Sequence, residues 1–301
     1  VCSSDLVDKP YIQGVSWLNG QAGDLFLDGQ QFAPDVARAI TLNGSGFRIG
    51  ADGFSGANDS YLGTITEVIM YNQKLNATDA DKVESYLGIK FGITLAHNYY
   101  SSLYDGTNAT DPGVTLWDAT TNAAYSNDIA GIGREDCQGL YQKQSQSVNE
   151  GSIVTIYNDD QTAGLPASNA ANLSTFTDDE SFLLWGNNGD DTSYGVTYTP
   201  NSFTPAAGYF HMNRIWLVDE TSTTTDVGTV TISIPESTGA EHLLVHTSDD
   251  FGTGTPTEIA LTNDGNGNLI ATYDFADGDY FTFGNEIEAP GCVAANLQVW
   301  L

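Results

Sequence analysis

The chain has 301 residues, and nine Lys and Arg stand against 39 Asp and Glu, a formal net charge of −30 with no cation at all between Ile215 and Leu301. Such a surface repels phosphate backbones and anionic lipid, which excludes nucleic acid as a partner. No apolar run reaches the ~18 residues of a membrane span, and Cys2, Cys137 and Cys292 are too sparse for a disulfide framework or a zinc site.

Richness in Gly, Asn, Thr and Asp points to an extracellular or cell-surface protein, and the length allows two domains. The opening "VCSSDL" has no basic or apolar leader region. It is also the translation of a common sequencing-adapter tail, so residues 1–6 are expected to be an artefact; the alternative is an ordinary loop. "DLFLDGQQFA" at 24–33 predicts a hairpin around Asp28 and Gly29. "ARAITL" (37–42), "FRIG" (47–50) and "YLGTITEVIMYN" (61–72) predict three more strands.

The period then changes. In "NATDADKVESYLGIKFGITL" (76–95), Val83, Tyr86, Leu87 and Phe91 fall at helical spacing, with Thr78 as the expected N-cap and Gly92 at the left-handed C-terminal position. Strands resume after a loop rich in Asn, Asp and Gly. They are "DIAGIGRE" (128–135), "GSIVTIYN" (151–158), "SFLLWGN" (181–187), "GYFHMNRIWLVDE" (208–220), "VGTVTISIP" (227–235), "EHLLVHT" (241–247), "TEIALT" (257–262), "NLIATYDF" (268–275) and "GDYFTFG" (278–284). Short alternating runs between turn residues predict an all-β protein with one short helix, its second unit a β-sandwich.

From Tyr61 to Leu95 the order Gly63, Ile65, Glu67, Val68, Tyr71, Leu75 and then the helix "VESYLGIKFGITL" resembles the C-terminal half of laminin-G-like, concanavalin A-like jelly-roll modules of large bacterial surface proteins. "LFLDGQ" looks like their central hairpin. The resemblance implies a partial jelly roll over 7–98. Residues 99–286, with "WDATTNAAYSNDIAGIGRED" and "DFADGDYFTFG", are similar to an uncharacterised β-rich domain found behind such modules. "NEIEAPG" reads as a linker, and "APGCVAANLQVWL" looks like the first strand of another laminin-G-like module, so 287–301 are expected to open a further repeat in a polypeptide cut short, a metagenomic fragment. Cys292 departs from the small residue of that pattern.

Concanavalin A-like folds include glucanases, but retaining hydrolysis needs two carboxyls ~5 Å apart on one face, and no Glu-x-Asp-x-x-Glu strand occurs. "VDE" at 218–220 sits at a strand end. His242 and His246 offer a metal pair or an exposed polar face, and His97 and His211 have no nucleophile and acid near them in sequence. Calcium is the expected cofactor. The resemblance implies rim loops that hold it, and Asp52, Asn58 and Asp59 lie in such a loop, with Asp264, Asn266 and Asn268 as a second oxygen set. Both sets also suit plain turns. Trp117, Tyr125, Tyr99, Tyr100 and Tyr104 fall in loop-like sequence where a ring could stack on sugar. The expected function is a non-catalytic adhesin module binding carbohydrate or an extracellular protein. A spacer repeat or an accessory module of a polysaccharide-degrading enzyme are the alternatives.

Overall fold

The computed structural model describes residues 9–18, 23–31, 63–102, 113–158, 164–198 and 208–287. It begins with a three-stranded antiparallel ribbon of β1 (Gln13–Ser16), β2 (Asp24–Leu27) and β3 (Gln30–Gln31). Asp28 and Gly29 join the last two with φ of 47° and 80°, the paired positive values that a two-residue hairpin turn needs.

The helix α1 (Ala77–Phe91) has its cap two residues earlier than expected. Asn76, not Thr78, is the N-cap: its Oδ1 accepts from Asp79 N at 2.8 Å and its Nδ2 donates to the Asp79 carboxylate, so each side chain satisfies the other. The C-cap is Gly92 as expected, with φ 66°. The buried helix face is Glu84, Ser85, Gly88 and Ile89, whereas Tyr86, Leu87 and Phe91 are only partly buried against the core. The segment before the helix is a second difference. Residues 63–72 form no strand, and Ile65, Val68, Ile69, Met70 and Tyr71 are exposed, because an alternating pattern becomes a strand only where a ladder partner exists, and none pairs with it among the described residues.

Two short strands, β4 (Tyr99–Tyr100) and β5 (Thr115–Trp117), pair as a ribbon. Then come β6 (Asn127–Glu135), β7 (Leu140–Gln142), β8 (Gln144–Gln146), β9 (Thr155–Tyr157), β10 (Ser181–Asn187) and β11 (Tyr194–Thr197). The remainder are β12 (Gly208–Met212), β13 (Trp216–Ser222), β14 (Val230–Pro235), β15 (His242–His246), β16 (Thr257–Ala260), β17 (Thr262–Asn263), β18 (Asn268–Tyr273) and β19 (Tyr280–Ile287). A nine-stranded antiparallel sheet runs β11-β12-β19-β13-β10-β6-β7, with β15 on β19 and β16 on β15; a five-stranded sheet runs β17-β18-β14-β9-β8.

The two sheets pack face to face. Ala130, Ile132, Leu183, Trp185, Trp216, Val218, Phe281 and Phe283 of the large sheet meet Ile156, Val230, Ile232, Ile234 and Ala271 of the small one, and Trp216 stacks on Phe281 with centroids 5.4 Å apart. The opposite face of the large sheet, carrying Ile129, Phe182, Leu184, Leu217 and Leu244, is covered by Ile89, Ile93, Leu95, Tyr99, Leu116 and Trp117 from α1 and the segments behind it. All seven residues of β10 are therefore buried, which is why "SFLLWGN" lacks alternation. The protein is an all-β sandwich with one short helix. That helix, grouped by its sequence with the laminin-G-like unit, packs on strands of the second unit, β6, β7 and β8.

"GYFHMNRIWLVDE" is not one strand but two. The chain leaves the ladder at Asn213–Ile215, and the Thr282 hydroxyl donates to both Met212 O at 3.2 Å and Arg214 O at 2.8 Å. Asn188 closes the other side, its N–H reaching Ile215 O and its Oδ1 accepting from Ile215 N. Every polar group at a buried break must find such a partner.

Gly92→Ala is expected to destabilise the protein by about 3 kcal/mol or more in urea unfolding, because a Cβ would add left-handed strain and strike the Gln146 carbonyl. Thr282→Val keeps the shape, removes the donor at the break, and is expected to cost about 1–3 kcal/mol in the same measurement.

Candidate functional site

The break between β12 and β13 shapes a depression of ≈ 370 Å³ at one end of the large sheet. Asp190 and Asp191 line it from the loop after β10, Asn213 from the break, His211 from β12, and Asp249 and Asp250 from the loop after β15. The carboxylates are fixed by donors from neutral groups. Asp191 Oδ1 accepts from Ser193 N, Ser193 Oγ and Asn213 Nδ2, Asp250 from Gly252 N and from Thr253, and Asp249 from the Tyr125 hydroxyl at 2.9 Å. The Ser193 hydrogen bonds hold Asp191, and those of Thr253 and Gly252 hold Asp250, below the usual carboxylate range. His211 is buried and its Nδ1 donates to Met212 O at 2.7 Å; burial pushes its pKa down, so the ring is neutral and its Nε2 an acceptor. The depression thus presents preorganised acceptors, suited to sugar hydroxyls, amides or cations.

The second cluster sits at α1. Asp81 and Glu84, three apart, lie on one helix face, and the segment after Gly92 reverses to bring His97 beside them. Tyr99 pins that reversal, its hydroxyl accepting from Leu95 N at 2.9 Å and donating to Ile93 O at 2.8 Å. His97 Nε2 lies 2.9 Å from Glu84 Oε2 and 3.9 Å from Asp81 Oδ1. Burial disfavours the charged imidazole, but the hydrogen bonds to Glu84 and Asn98 and the two carboxylates outweigh it, so its pKa is raised. Each of the three residues offers one ligand atom, all within 4.8 Å of one another.

The residues expected from sequence are placed differently. Asp52, Asn58, Asp59 and Tyr104 lie outside the described residues. Asp264 turns the hairpin into β18, and its carboxylate accepts from Asn266 N, Asn268 N, Asn268 Nδ2 and Leu165 N, while the Asn266 Nδ2 group bonds to Asp264 O. His242 and His246 do share one strand face, but four residues of strand span about 13 Å, too far for one metal; His242 faces Glu258 and His246 faces Ser248. Tyr99, Trp117 and Tyr125 are buried, not loop platforms. The cluster of Asp81, Glu84 and His97 could have been found from the i, i+3 acids followed by a left-handed glycine that turns a histidine back along the helix.

Asp219 and Glu220 of the "VDE" strand end alternate to opposite faces of the sheet and form no facing pair. Asp219 meets Asn122, Thr221 and the charges of Asp277 and Asp118; Glu220 accepts from Val227 N. Burial first, then neighbouring acids, pushes each pKa to about 7. Both groups bind a proton more tightly folded than unfolded. The stability they give is full below the ordinary carboxylate range and lost as pH rises towards about 7. Asp219→Asn is therefore expected to raise the melting temperature at pH 8 by roughly 2–4 °C, equivalent to about 1 kcal/mol, with little change at pH 4, as read by calorimetry in chelator.

No curated protein and no solved structure matches the chain. The family model described as "Domain of unknown function (DUF8202)" matches residues 79–279, a span that takes in nearly all of α1, the five-stranded sheet, the nine-stranded sheet except β19, the depression and the histidine cluster. The chain belongs to that family.

Proposed function

We propose that the chain is a non-catalytic binding module of a large secreted or cell-surface adhesin, with carbohydrate or an extracellular protein as its ligand. The observation that carries this reading is the depression beside the β12–β13 break, where fixed carboxylates and a neutral histidine offer acceptors to a hydroxyl-rich or cationic ligand. Acceptors already held by internal donors lose little freedom on binding. Calcium belongs to the same proposal, because 39 acids against nine cations leave oxygen ligands in excess. So does the laminin-G-like reading of residues 7–98, supported by the Asp28–Gly29 hairpin and the capped helix.

The chain is expected to be retarded selectively by one glycan in native gels cast with a panel of polysaccharides. The retardation should fall at least several-fold for Asp190→Asn/Asp249→Asn and in chelator. Retardation that survives chelator would remove calcium from the proposal. Free migration in every gel would overturn carbohydrate binding and leave the spacer or protein-binding role.

A further inference from the structure

The histidine cluster joins three parts of the chain. α1 supplies Asp81 and Glu84, the returning segment supplies His97, and the β2–β3 turn lies over the ring: Ala96 N donates to Asp28 O at 3.0 Å, and a Cβ on Gly29 would stand 2.8 Å from His97 Nε2. His97 Nδ1 is 2.6 Å from Asn98 O. A carbonyl can only accept, so Nδ1 carries a hydrogen, and in the neutral ring Nε2 bears the lone pair. Nε2 points at two carboxylates, one of them, Glu84, only 8% exposed; a carboxylate also only accepts, so without a metal Nε2 holds a proton there, which a metal ion at the same spot displaces. Three electron-rich atoms converging on one spot need a positive charge between them. A ring nitrogen directed at a site while the other holds a backbone carbonyl is how metal-binding histidines are oriented.

We propose that Asp81, Glu84 and His97 form a binding site for a first-row transition dication, zinc in the first instance, which braces the helix against the returning segment beneath the hairpin turn. Two ligands of a tetrahedral zinc at the usual bond lengths lie about 3.3 Å apart, between the 2.9 Å and 3.9 Å separations of His97 from the two carboxylates, and the carboxylate oxygens lie within 4.8 Å of each other, a spread that side-chain adjustment can close around an ion. The imidazole nitrogen selects against calcium and magnesium, which prefer oxygen. Three protein ligands leave a coordination position for water, and Asp81, with 36% of its side chain exposed, gives the ion a path in. All three ligands fall within residues 79–279, the span of the family match. The site is separate from the depression and independent of the proposed adhesin role.

The test is isothermal titration of the full chain, freed of metal by chelator, with Zn²⁺ and separately with Ca²⁺, alongside melting curves and the visible spectrum with Co²⁺. One Zn²⁺ per chain is expected, with a rise in melting temperature that Ca²⁺ at the same concentration does not give and with Co²⁺ absorption bands. His97→Gln should weaken Zn²⁺ binding at least about 100-fold and abolish the bands, whereas His242→Gln and Cys137→Ser should leave both unchanged. Should His97→Gln fail to fold, Asp81→Asn, at the open rim, carries the same comparison. The absence of stoichiometric Zn²⁺ binding to the unaltered chain, or binding that Asp81→Asn and His97→Gln retain in full, overturns the site and leaves the cluster as an imidazolium held by two carboxylates.

Discussion

Both faces of the nine-stranded sheet are apolar at its centre, and neither can be left to water. The five-stranded sheet covers one face; the other is covered by a helix, a short ribbon and the segments that join them. Each large side chain shielded in this way contributes roughly 1.5–3 kcal/mol, so the second cover is as necessary as the first. That requirement fixes α1 against β6 and makes the chain reverse at Gly92, where only glycine meets both the left-handed backbone and the nearby Gln146 carbonyl. The reversal then places His97 beside the helix. Local chemistry at the helix is thus a by-product of how the sheet is sealed.

Much of this was legible in the residues. The Asp28–Gly29 hairpin and the Gly92 cap were readable because each needs a positive φ that few residue pairs supply, and the strands of the second unit because turn residues punctuate them. The misses have physical causes. Asn76 and Thr78 are both good caps, and only the actual bond to Asp79 N chooses between them. The break in 208–220 is invisible locally, since the donor that stabilises it, Thr282, lies far along the chain. The apolar residues of α1 mark a face that is half-covered, while the fully buried face carries Glu84 and Ser85, polar residues whose partners, His97 and Tyr100 N, arrive from beyond the cap. Asp190 and Asp191 offer oxygen ligands as well as a turn in sequence, but that Asp249 and Asp250 join them is set by the fold of the large sheet alone.

With 39 acids and nine cations, ion pairing cannot satisfy the carboxylates, and the structure uses another means. Asp118 accepts from Thr120 and Thr121, Asp264 from Asn266, Asn268 and Leu165, and Asp191 and Asp250 from serine, threonine and backbone donors. Such bonds are short-ranged and local to one loop. Salt screens long-range repulsion between the charges but leaves these bonds in place, so a strongly anionic surface and well-defined loops coexist.

The position of β19 has a consequence for how the molecule is made. It is the last strand among the described residues, yet it lies inside the large sheet, paired with β15 along one edge and with β13 and β12 along the other. Until it arrives, β15 has no strand partner in the β13-β10-β6 block, β12 is joined to that block only through the Asn213–Ile215 break and not by a ladder, and Phe281 and Phe283 are absent from the core. During vectorial synthesis the ribosome therefore finishes nearly the whole domain before its central sheet can close. The pairing is non-local and slow in kind, so β15 and β16 wait on β19 before they can join the large sheet.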